Sequence, residues 1–265
     1  MAQASDHETI IYRKDDGIAE IRLNRPHRMN AVIEQLYMDV LEALDDAEAD
    51  TAIRVLILTG EGRAFCVGAD LKEHEKGRRS EAERRCYLEL GNDTCKRIRR
   101  LKKPVIAAVN GYAIGGGLEL ALSADFILIK ESAEVGLPEV SLGTYVGGGV
   151  TYLLPRLVGL AKARELIFLG QRIDGREALA IGLATRAFPD GTFADDVHDF
   201  AEALKRQAPL PMTLAKEHLN NESVRTYDMS LDSELEGILA CMATRDWREG
   251  VEAFAEKRAP VFQGK

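Results

Sequence analysis

The chain has 265 residues, 46% hydrophobic and 29% charged, with a formal net charge of −8. That balance fits one large globular α/β domain, or a domain with a smaller appendage, and argues against a general nucleic-acid binder. No run of about 18 uncharged apolar residues occurs and the N-terminus, MAQASDHETI, lacks a signal peptide's basic start and apolar core, so no membrane partner and a cytoplasmic location are expected.

In chain order, TIIYRKDDGIAEIRLN reads as a β-hairpin about an Asp16-Gly17 turn. A helix follows, with Asn30 as its expected N-cap and Val32, Leu36, Val40, Leu41 and Leu44 at helical spacing. RVLILTG is a buried strand that stops at Gly60. EGRAFCVGADLKEH is a glycine-punctuated loop, with a helix expected to start near Asp70. SEAERRCYLELGNDTCKRIRRL is a long amphipathic helix, and Pro104 opens the next strand. After Gly115–Gly117 and a helix come a strand (DFILIK), a short strand and turn (AEVGLPEVSLG) and a second glycine-rich passage, TYVGGGVTYLLPRLVG. From Ala161 onward the pattern is mostly helical, and a soft boundary is expected near Pro189–Phe193 or Ala208–Pro211. The division taken is a core over 1–192 and a helical region over 193–265.

Cysteines 66, 86, 95 and 241 show no C-x-x-C spacing, and the five histidines show no H-E-x-x-H. Reduced thiols and no metal site are expected.

The chemistry begins at PVIAAVNGYAIGGGLELALSAD, where a strand turns into a helix through three glycines. Bare backbone at a helix start leaves N–H groups free to bind negative charge, either a phosphate or an oxyanion that develops in a transition state. Glu119 lies in the first helical turn, on the same face as Gly116. A fixed carboxylate there would repel phosphate but suits a neutral carbonyl whose neighbouring carbons exchange protons. Its alternative role is to satisfy the helix dipole. Glu139, in VGLPEVSLG, is a second acid among apolar neighbours, equally able to cap a turn. Two carboxylates beside an electrophilic pocket could activate a water and deliver a proton to carbon. RAFCVGAD is the best source of a second donor, the N–H of Ala69 after Gly68, with an ordinary strand-to-helix loop as the alternative.

RAFCVGADLKEH, KKPVIAAVNGYAIGGGLELALSADFIL, GLPEVSLG and the terminal REGVEAFAEKRAPVF together resemble the crotonase superfamily, the enoyl-CoA hydratases and isomerases, from near Ile10 to the C-terminus. The resemblance implies an α/β fold of repeated β-β-α units, a spiral of two roughly perpendicular sheets, with a C-terminal helical region that builds homotrimers or dimers of trimers. It implies an acyl-CoA substrate with no separate cofactor and no metal. The family's oxyanion-hole amides fall on Ala69 and Gly116. Its hydratase acids match Glu119, which would activate water for attack at the β-carbon, and Glu139, which would exchange the α-carbon proton. Because many relatives that are not hydratases lack one acid, retaining both implies hydration of a 2-enoyl-CoA. CoA or substrate contacts are expected from Val67, Gly68, Asp70, Leu71, Lys72, Gly115, Tyr145, Val146, Phe254 and Lys257, the last two often reaching a neighbouring subunit's nucleotide.

The chain departs from the family pattern at Val67, at Val146–Leu154, where Tyr152 and Leu153 replace a Gln-Arg pair, and at Trp247. These changes leave room for a branched, cyclic or β-heteroatom acyl group, and hence for an isomerase, lyase or hydrolase activity. From another class, GEGRAF after a strand resembles half of a G-x-G-x-x-G dinucleotide fingerprint, but Phe65 stands where Gly or Ala should be.

Overall fold

Asp16 and Gly17 take positive φ angles of 41° and 79°, the backbone of a two-residue turn that matches the twist of the strands it joins. The computed structural model describes residues 3–5, 7–72, 80–221 and 226–265. Strand β1 (Gln3–Ser5) lies on the outer edge of the expected hairpin, formed by β2 (Ile10–Asp15) and β3 (Ile18–Leu23). The helix after it begins later than expected, at Glu34, with Ile33 at the N-cap. Asn30 instead takes a left-handed φ of 57°. Its side chain is already occupied, accepting from Arg25 N–H at 2.9 Å and donating to the carbonyls of Glu61 (3.0 Å) and Ala64 (2.8 Å).

From Val55 the chain repeats one move: a strand in a large sheet, a short strand in a small sheet, then helix. The first repeat is β4 (Val55–Gly60), β5 (Ala64–Cys66) and the helix Glu81–Arg100; the second is β6 (Val105–Val109), β7 (Tyr112–Ile114) and the helix Gly116–Leu122. The third is β8 (Phe126–Lys130), β9 (Glu134–Gly136), a 3-10 turn at Glu139–Leu142 and the helix Val150–Leu169, broken at Gly159. With β10 (Arg172–Asp174) and β11 (Arg186–Phe188), the sheets run β1-β2-β3-β4-β6-β8-β11 and β10-β9-β7-β5. Strands β3 to β11 of the large sheet are parallel. Each repeat advances one place in both sheets, which makes a spiral. Gly60 therefore leads into β5 and not into a helix, so GEGRAF lacks the strand-to-helix setting that a dinucleotide fingerprint needs.

Both faces of the large sheet are covered, which is why its strands read as unbroken apolar runs. Alternate residues serve opposite faces. Leu56 and Leu58 join the main core, whereas Val55 and Ile57, with Ile106, Ala108 and Leu128, pack against Phe193, Val197 and Ala201 of the helix Phe193–Lys205. Each such aliphatic side chain stabilises the fold by about 1.5–3 kcal/mol when fully buried. The helix Glu81–Arg100 starts at a capping box: Ser80 Oγ accepts from Glu83 N–H, and the Glu83 carboxylate accepts from Ser80 N–H at 2.7 Å.

The C-terminal helices Pro209–Asn220, Tyr227–Met242 and Arg245–Glu256 behave differently. The first two bury no residue, although Leu219, Tyr227, Leu235, Ile238 and Leu239 are large and apolar. The Lys216 ammonium ties the first helix to the core, donating to Asp125 Oδ2 at 2.7 Å and to the Lys103 carbonyl at 3.0 Å.

Candidate active site

The site forms where two corners of the spiral touch, the loop after β5 and the turn after β7. Val32 makes an isolated parallel bridge to Ala69: Val32 N–H donates to the Gly68 carbonyl at 2.8 Å, and Asp70 N–H donates to the Val32 carbonyl at 3.0 Å. The Gly68 carbonyl and the Ala69 N–H belong to one trans peptide, so holding the carbonyl on Val32 turns the N–H away from it. Ala69 lies close to the start of the helix Gly116–Leu122. Gly68 allows the approach. Its φ is 77°, and a Cβ there would lie 2.9 Å from Gly116 N, a distance that real side chains do not tolerate.

Gly116 is the first residue of its helix, so its N–H has no partner one turn back. A Cβ placed on Gly116 would lie 4.0 Å from Ala69 N and 4.0 Å from Glu119 Oε2. The two expected donors and the first expected acid therefore share one small space. Glu119 is held from the far side, because Gly147 N–H donates to its Oε1 at 2.7 Å. Gly148, at φ 56°, packs so closely that a Cβ would sit 2.5 Å from the Glu119 Cβ. Oε2 lies between the two sides, 3.1 Å from a Cβ on Gly147 or Gly148 and 4.0 Å from one on Gly116.

Glu139 opens the 3-10 turn and is buried. Its Oε1 would lie 2.7 Å from a Cβ on Gly115. Its Oε2 is buried with no hydrogen-bond partner among the described residues, an exposed cost for any carboxylate unless something else is to be bound there. Burial raises the pKa of Glu119, and the nearby Glu139 charge raises it further; the Gly147 N–H opposes both. Burial also raises Glu139. Burial thus disfavours the charged form of both acids. The one thiol beneath the loop, Cys66, is pushed up to about 12 by burial and stays protonated. Among the described residues no group of three or more His, Cys, Asp or Glu is arranged to hold a metal ion, and no helix is long and apolar enough to cross a membrane.

The other expected contacts are spread more widely. Val67 is half-buried, and Leu71 and Lys72 are exposed and helical; the rest of that expected helix, 73–79, lies outside the described residues. Asp70 is only 2% exposed, and its carboxylate is turned into Arg25 and Arg28. Val146 packs into the main core, whereas Tyr145 beside it is exposed. Phe254 is 87% exposed and lines an apolar groove with Trp247, Val251, Leu210, Pro211 and Phe262, away from the acids in sequence and fold. Lys257 closes the last helix with a φ of 56°. Sequence reading missed the part played by Gly147 and Gly148. Three glycines in a row were the available signal, but nothing local says that they pack on Glu119.

The family model described as enoyl-CoA hydratase/isomerase matches residues 13–265. The chain is 35% identical over 260 residues to the crotonyl-CoA hydratase of Syntrophomonas wolfei, covering 98% of this chain and 99% of that one. It is 36% identical over 250 residues to the short-chain-enoyl-CoA hydratase of Clostridium acetobutylicum, covering 94% and 95%. A crystal structure of an enoyl-CoA hydratase from Bacillus anthracis superposes with a TM-score of 0.91 at 35% identity, over 100% of this chain and 99% of that one.

Proposed function

The chain belongs to the enoyl-CoA hydratase/isomerase family, and from that premise we propose that it adds water across the double bond of a 2-enoyl-CoA, with Ala69, Gly116, Glu119 and Glu139 as the working groups. The thioester oxygen would accept hydrogen bonds from the Ala69 and Gly116 N–H groups. Those donors strengthen as negative charge moves onto that oxygen, which is where such a site lowers the barrier. Glu119 would take a proton from water as its oxygen bonds to the β-carbon. The electron pair of the double bond passes to the thioester enolate. Glu139, in its protonated form, would then deliver a proton to the α-carbon. One water is added in total, and the pair recovers its starting state by passing the proton back from Glu119 to Glu139.

The observation that carries this reading is the meeting of Ala69 N, the Gly116 backbone and Glu119 Oε2, with Glu139 Oε1 against Gly115 and Glu139 Oε2 buried without a hydrogen-bond partner among the described residues. An acid that merely satisfied a helix dipole would have no reason to be pinned by Gly147 while raised in pKa by burial. No group outside the chain and its substrate is required by these steps.

We assign assembly to the C-terminal region, 193–265, as a homotrimer or a pair of trimers; the support is the uncovered apolar face of the helices from Pro209 to Glu256. In such an assembly Phe254 and Lys257 would serve a neighbouring subunit's CoA. The test of function is a panel of 2-enoyl-CoA thioesters, straight, branched, cyclic and sulfur-bearing, followed by near-ultraviolet absorbance and mass spectrometry. Water addition abolishes the conjugated thioester absorbance and increases the mass by one water. A product of unchanged mass with a shifted double bond would assign an isomerase instead.

A further inference from the structure

We propose that Asp70, with Arg25 and Arg28, is a positioning cluster that aims the Ala69 N–H into the site. The inference rests on the oxyanion-hole reading of Ala69.

Asp70 follows Ala69 directly and is 2% exposed. A carboxylate so deeply buried needs charged partners to offset its lost hydration. It has two. Arg25 Nη2 donates to Oδ2 at 3.2 Å, and Arg28 Nε donates to the same oxygen at 3.1 Å, while Arg28 Nη2 reaches Oδ1. The Arg28 contact is thus the two-point, fork-to-carboxylate geometry that fixes direction as well as distance. Arg25 does something more. Its Nη1 donates to the Ala31 carbonyl, on the segment whose next residue, Val32, bridges to Ala69. One guanidinium therefore ties both strands of the bridge together, Ala31–Val32 on one side and Ala69–Asp70 on the other.

The bridge decides where the Ala69 N–H points. With the Gly68 carbonyl held by Val32, the Ala69 N–H of the same trans peptide is turned to the opposite edge, and Ala69 N lies 4.0 Å from where a Cβ on Gly116 would sit. Among the described residues, two backbone hydrogen bonds hold this short bridge. The buried ion cluster supplies the rest. Residues 25–31 hold their shape through Asn30, whose side chain accepts the Arg25 N–H at 2.9 Å, so the arginines are themselves anchored. Asp70 thus acts through a neighbouring peptide and has no need to touch substrate.

The test uses the full-length protein and acetoacetyl-CoA, whose enolate absorbs in the near-ultraviolet once its α-proton has been lost and its oxygen is held by donors. Wild type, Asp70→Asn and Arg28→Gln are compared for kcat and KM of hydration, for enolate formed at saturation, and for thermal midpoint. Arg28→Gln leaves Arg25 on Asp70, so it decides the matter should Asp70→Asn fail to fold. We expect kcat to fall roughly 10–100-fold, less than the 10²–10³ expected when a donor is removed outright, with KM changed by less than about threefold and the bound enolate reduced in step. A folded variant with a lowered midpoint but wild-type kcat and enolate would make the cluster structural only and overturn the proposal. If the wild-type protein hydrates its substrate yet binds acetoacetyl-CoA without any enolate, the oxyanion hole itself is misassigned and the cluster loses its role with it.

Discussion

At Glu119 the demands of folding and of chemistry oppose each other. Its folded pKa lies above the ordinary 4.5, because burial and Glu139 disfavour the charged form. The unfolded chain then ionises more readily than the folded one, so stability is lost as pH rises from about 4.5 through the folded pKa. Glu119→Gln is neutral throughout and still accepts the Gly147 N–H. It should raise the thermal midpoint of unfolding near pH 7 while leaving it unchanged at pH 4, by roughly 2–4 °C for each kcal/mol relieved; an equal shift at both pH values would mean that charge burial is not the cause. Gly148→Ala makes the complementary point. The new methyl would fall 2.5 Å from the Glu119 Cβ at a φ of 56°, so hydration should drop at least about tenfold through displacement of the acid, and unaltered kcat would show that the passage is not its support. These residues also mark what sequence can and cannot disclose. Glu119 was legible because an acid three residues beyond a glycine turn is a local pattern. Its support from Gly147 was not, since 28 positions separate the two. Asp70 was legible as important but not in its task, because Arg25 and Arg28 lie more than 40 positions upstream.

Among the elements, the hairpin was readable because Asp16-Gly17 is a short-range signal with a direct mechanism, and the helix Glu81–Arg100 because its run is amphipathic. The late start of the helix Glu34–Ala49 was not, because Asn30 found partners at Glu61 and Ala64 from a different strand unit. The spiral itself was an inference from resemblance; apolar runs such as VLILTG do not say which sheet they join. The same limit applies to the helix Pro209–Asn220, which is attached through a buried pair as well as by Thr213 and Asn220, donating to the carbonyls of Lys102 and Arg99. Burial lowers the Lys216 pKa and raises that of Asp125, against their mutual attraction. Lys216→Met would leave Asp125 buried with the Val105 N–H at 2.7 Å and the Arg99 charge as support. It should destabilise by about 3–5 kcal/mol, and pairing it with Asp125→Asn should recover a good part of that loss. Urea unfolding of the two single variants and the double measures the coupling; purely additive losses would mean that the pair does not hold the helix.

For the whole molecule, the C-terminal helices leave Leu235, Ile238, Leu239, Met242 and Phe254 uncovered, a larger apolar face than a lone globular chain tolerates. Sedimentation at micromolar concentration should give three or six copies of the 29.2 kDa chain, and Leu235→Glu with Ile238→Glu should yield smaller species; a wild-type monomer would refute the assembly. The proposed acids and donors all lie on one chain, whereas the proposed CoA contacts of Phe254 and Lys257 cross to a neighbour. The most direct measurement is therefore steady-state hydration of the preferred enoyl-CoA by Glu119→Gln and Glu139→Gln, with CoA-thioester affinity measured on the same preparations. Each variant should lose roughly 10²–10⁴-fold in kcat while affinity stays within about threefold; near-wild-type turnover in both would contradict the assignment of the two carboxyls as the groups that move the protons.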